Sequence, residues 1–144
     1  MAIQQTLTAS FKLELLQGVH DFTADTFKIA LYTAQAALND ETVTYLTDGE
    51  VVGTGYTAGG QVLTVVPPAA AIGVTGRYVA FVSFNDVLWP GSDFVARGAR
   101  IYNASKGNAS VAVLNFGGDK ISGGAGFRVV FPQAADTSAI IRIE

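Results

Sequence analysis

The chain has 144 residues, 49% of them hydrophobic and only 15% charged, enough to bury roughly 68–70% of its unfolded surface in one domain and too apolar for disorder. Nine Lys and Arg stand against twelve Asp and Glu, a net charge of −3, so there is no basic field to gather nucleic acid or anionic lipid, and neither nucleic acid nor membrane is an expected partner. With no cysteine and a single histidine, disulfides, thiolate nucleophiles, Cys-ligated zinc and multi-histidine metal sites are excluded.

The opening MAIQQTLTASFK carries neither a basic n-region nor an apolar run of signal-peptide length. It predicts a chain made in the cytoplasm that stays soluble or joins an assembly. From Ser10 to Gln17, Phe11, Leu15 and Leu16 form one apolar stripe at helical spacing, while Lys12 and Glu14 face elsewhere and Gly18 suits the C′ position. The expected helix, within about residues 8–18, is too short to persist alone. It must dock on the rest of the domain or on a neighbouring subunit.

After Asp25 the apolar period falls to two. TFKIALYT places Phe27, Ile29 and Leu31 on one face and Lys28, Ala30 and Tyr32 on the other, the pattern of a half-buried strand. A weaker segment follows at TVTYL (42–46), and clearer ones at QVLTVV (61–66), RYVAFVSF (77–84), DFVARGARIYN (93–103), ASVAVLNF (109–116), FRVVF (127–131) and SAIIRIE (138–144). Glycine and proline pairs punctuate them. Segments 34–41 and 67–76 read as surface excursions, Pro67-Pro68 as a strand stop, and Gly98 as a bulge or corner. VVPPAAAIGV, the most apolar later window, falls far short of the ~20 residues of a spanning helix. The whole predicts one all-β domain over residues 1–144, an antiparallel β-sandwich or jelly roll of about eight strands with one short N-terminal helix.

Chemistry is sparse along these elements. GTGYTAGG (53–60) resembles a phosphate cradle only in composition, because a strand pattern follows where a helix and a lysine are needed; it reads as a bend, with Tyr56 at its tip. GGDKISGGAG (117–126) offers one carboxylate, Asp119, where calcium needs several. His20, beside Asp21 and with no GxSxG elbow in the chain, reads as a cap or surface residue. Asp86, Asp93 and Asp119 are candidates for a carboxylate pair, but read as solvated turn residues. Trp89 immediately precedes the Pro90-Gly91 turn, a place suited equally to a partner contact or to core packing. No catalytic residue, cofactor site or metal site emerges, and an enzyme is not expected.

The run FKLELLQGVHDF, then DTFKIALYT, GTGYTAGG, ARGARIYN and VAVLNFGGDK, in that order, resemble small virion structural proteins of tailed bacteriophages. The nearest type is the head decoration or cement protein of Bordetella podophages, with the likeness running from Phe11 to Ile143. The resemblance implies a β-sandwich or jelly roll on the outer surface of a capsid in the virion. There it would bridge capsomers, touching the major capsid protein and further copies of itself. Expected contacts are Phe11, Leu15 and Leu16, with Tyr56 and Trp89. A phage tail or neck component is the alternative within that class, and a carbohydrate-binding module stacking sugars on Trp89, Tyr45 and Tyr56 is the alternative outside it.

Overall fold

A computed structural model describes residues 2–144. In chain order the elements are β1 (Thr6–Leu7), α1 (Ala9–Leu16), β2 (Phe27–Tyr32), β3 (Gln61–Val62), β4 (Val65–Ile72), β5 (Tyr78–Phe84), β6 (Val87–Trp89), β7 (Val95–Asn103), β8 (Ala109–Ile121), β9 (Phe127–Val129) and β10 (Ile141–Ile143). The fold is all-β and antiparallel. A five-stranded sheet runs in the order β1-β8-β7-β2-β3, a three-stranded sheet β10-β5-β4, and a ribbon pairs β6 with β9. The arrangement is sandwich-like: Phe27, Ile29 and Leu31 of the large sheet share one core with Val82 and Phe84 of β5, Trp89 of β6, Phe127 and Val129 of β9 and Ile141 of β10.

The N-terminal helix forms where its spacing predicts, and both ends are capped. The Thr8 hydroxyl accepts from the Phe11 N–H at 3.3 Å. At the other end the Gly18 N–H donates to Leu15 O (3.2 Å) and the Val19 N–H to Glu14 O (3.0 Å), with Gly18 at φ +71. That is the double bond of a Schellman stop, which needs a residue tolerant of left-handed backbone. The docking question is answered inward, since Phe11 is fully buried in the main core.

Four local expectations are corrected. Strand β2 is not half-buried: Ala30 and Tyr32 enter a second apolar cluster with Ile3, Ala36, Leu38, Tyr102 and Val113 on the other face of the large sheet. Segment 34–41 is therefore no surface excursion, because Ala36 and Leu38 cover that face. Pro67-Pro68 does not stop a strand either. Strand β4 continues to Ile72, and the two prolines occupy a register break between Val66 and Ala69. They are tolerated because β4 is an edge strand whose outer side needs no donors. TVTYL contributes only an isolated bridge from Thr44 to Ala109. Gly98 does mark a bulge, with the ladder shifting between Ala96 and Gly98 and the Ile3 side chain pressed where a Cβ would stand. Strands β1 and β6, two and three residues long, were too short to leave a periodic signal.

Candidate functional site

The five residues expected at contacts divide sharply. Phe11 and Trp89 are 0% and 2% exposed, and Trp89 packs in the core against Phe127 and Tyr56, with ring centroids 6.3 and 6.2 Å away. Neither is available to a partner, which corrects that expectation. Apolar area this large stabilises most when enclosed, and the turn after Trp89 leaves its indole pointing inward. Tyr56 is also turned inward, its hydroxyl held by Glu50. Leu15 is half-buried against the core. Leu16 alone stands free, 89% exposed.

Two polar clusters lie inside the molecule. In the first, Glu50 is buried and its carboxylate accepts from the Tyr45 hydroxyl (2.7 Å), the Tyr56 hydroxyl (2.6 Å) and the Gly59 N–H (2.8 Å). Tyr102 donates to Gly59 O at 2.6 Å, and the Tyr56 hydroxyl accepts from the Leu31 N–H at 2.9 Å. The glycine-rich segment is thus a bend pinned to the sheet by a carboxylate. Gly60, at φ +73, lies so close to the Ile29 carbonyl that a Cβ would collide with backbone. Burial first, and then the Glu50 carboxylate, push the Tyr45 and Tyr56 hydroxyls well above the usual phenol range. Arg100 is buried beside them, its guanidinium 5.1 Å from the Tyr32 ring centroid and donating to Thr44 O; desolvation lowers its pKa. Each Glu50 oxygen accepts from at least one donor and the carboxylate is buried, so the group pins a loop.

The second cluster centres on His20, which is buried and is no surface residue. The Asn103 amide donates to His20 Nδ1 (3.0 Å) and to Asp25 Oδ2 (2.8 Å), and His20 Nε2 donates to Glu14 Oε1 (3.3 Å). Among the described residues no hydroxyl is hydrogen-bonded to the imidazole. The cluster ties the helix exit to the end of β7. Asn103, which joins Asp25 to His20, lies 83 residues from His20, so the link could not be read from the residues around the histidine. Asp86 accepts from the Phe131 N–H, Asp93 bridges by backbone to Thr54, and Asp119 lies near Arg97 at 3.4 Å. They form no shared site. Among the described residues no three His, Asp or Glu converge to hold a metal ion, and no helix is long and apolar enough to cross a membrane.

The most prominent surface feature is apolar. In the small sheet, Ile143 faces Ala80, which faces Ala70, and Tyr78 faces Ile72. Directly paired residues share a face. The neighbouring pair Val82–Ile141 enters the core, but the outer rows overhang it: Ile72, Tyr78 and Ile143 are 59%, 70% and 54% exposed. A hollow of about 170 Å³ lined by Leu15, Phe22, Pro68 and Phe81 continues the patch toward α1. The outer edges of β4 and β10 are unpaired. This surface was not anticipated, because in the sequence its residues read as ordinary strand alternation.

Compared with known proteins, the chain matches no family model, no curated protein and no solved structure.

Proposed function

We propose that the protein is a structural component of a phage virion, a decoration protein that coats the head and holds capsomer junctions together. The observation that carries this reading is the overhanging apolar face of β4, β5 and β10, which no element covers among the described residues. Contiguous apolar surface of this kind marks a protein–protein contact. Its partners are the major capsid protein and further copies of the chain. The physics is burial at ~25 cal/mol per Å² before association costs, repeated over many copies so that modest contacts add up. The order of residue runs that resembles decoration proteins supports the same reading.

Of the expected contacts this reading keeps Leu16, drops the buried Phe11 and Trp89, and adds Ile72, Tyr78 and Ile143. Purified protein should co-sediment with preformed heads of the same phage, and Tyr78→Glu together with Ile72→Asp should abolish that without altering the circular dichroism spectrum. Heads left bare by the unmodified chain would overturn the reading. Electron microscopy of intact virions separates head decoration from a tail or neck position. The carbohydrate reading loses its platforms, since Trp89 is buried and Tyr45 already stacks on Tyr102 at 4.8 Å.

A further inference from the structure

A second open surface borders the β6–β9 ribbon. A groove of about 510 Å³ runs between β8 and β9. Its apolar lining includes Phe116, Phe127, Phe131 and Ile140, with Phe116 and Phe127 meeting across it at 5.8 Å. The wall formed by β9 and the three residues that follow it is unusual in being lined by consecutive residues, 127–132. Alternate side chains of a strand point opposite ways. A run of consecutive lining residues therefore means that a strand edge, and not a strand face, borders the groove.

That edge is unpaired. Strand β9 has one neighbour, β6. The Phe131 N–H points to the β6 side, where it donates to Asp86 at 3.0 Å. By the two-residue backbone period, Val129 faces β6 as well, while the N–H and C=O groups of Arg128 and Val130 face the groove. The charged side chains lining it are both cationic, Lys120 and Arg128, and no carboxylate lines it. Among the described residues Lys120 has no ion-pair partner, and the acid paired with Arg128 is Asp86 at 4.0 Å, with both side chains well exposed.

We propose that this groove is a strand-acceptor site: an extended, apolar segment of a partner protein, carrying a carboxylate, adds to the free edge of β9. Main-chain bonds to Arg128 and Val130 hold it in register. Its apolar side chains rest on the phenylalanine floor, and its acid is drawn to Lys120 and Arg128. The site belongs to a different sheet from the overhanging face. It stands or falls separately from the shell-coating reading.

The test uses the full chain and a fluorescein-labelled peptide, Glu-Val-Thr-Val-Thr-Val-Glu, read by anisotropy. Saturable binding is expected with a dissociation constant of roughly 10–100 μM. Val130→Pro, one residue past the end of β9, removes the donor there without touching a ladder bond and should weaken binding at least about tenfold, whereas Val130→Ala keeps the donor and should stay within about twofold. Lys120→Glu should also weaken it about tenfold, and a peptide with Lys in place of both Glu should bind poorly. Three results would overturn the proposal: no saturation below about 1 mM, equal binding by Val130→Pro and the unmodified chain, or binding of dodecanoate in the groove with none of the peptide.

Discussion

Phe11 and Leu16 sit five residues apart on and beside the same short stripe, yet one is wholly enclosed and the other almost wholly free. Phe11→Ala should lower unfolding free energy by about 3–5 kcal/mol in urea denaturation, the usual result of deleting an enclosed ring. Leu16→Ala should change it by no more than about 0.5 kcal/mol. Asp25 offers a pH counterpart. Burial alone would raise its pKa, but the Asn103 amide, the Asp21 N–H and the Lys106 ammonium 3.8 Å away outweigh that and hold it below the usual carboxylate range. A carboxylate depressed in the folded state contributes stability above its unfolded pKa of about 3.9 and loses it as pH falls through the lower folded value. Stability measured from pH 7 down to about 3 should fall along an acid limb that Asp25→Asn flattens.

Among the elements, the glycine-rich bend depends on a partner it cannot supply itself. Glu50→Ala would leave two tyrosine hydroxyls and the Gly59 N–H without their acceptor, at a cost of about 3 kcal/mol, visible as a lower denaturation midpoint. Burial raises Tyr32 and Tyr102 as well as Tyr45 and Tyr56. Since a folded pKa above the unfolded one confers stability that is complete below about pH 10 and is lost as pH rises further, alkali should destabilise the fold. Spectrophotometric titration should show four of the five tyrosines ionising only as the protein unfolds. The periodicity of TFKIALYT, the helix stop at Gly18 and the bulge at Gly98 were readable in advance because each depends on a few adjacent residues. Glu50 was not: Tyr45, Tyr56 and Gly59 lie within nine residues of it, but in an irregular stretch with no helix or strand period to show which side chains converge.

Over the whole molecule, the N-terminal segment is part of the body. Strand β1 pairs with β8 through Thr6 and Leu7, Ile3 enters the second cluster and Phe11 the first. Deleting residues 1–17 should therefore unfold the chain, checked by loss of its cooperative thermal transition, instead of leaving a folded domain that merely fails to bind. The amino-acid order was enough to establish an antiparallel all-β chain with one leading helix, because alternation and turn chemistry act between neighbours. Which apolar residues are enclosed was settled by non-local pairing: the same alternation that sends Val82 into the core carries Tyr78 and Ile72 beyond its edge. A strand pattern records which side chains share a face, but only the packing of one sheet on another determines whether that face is covered.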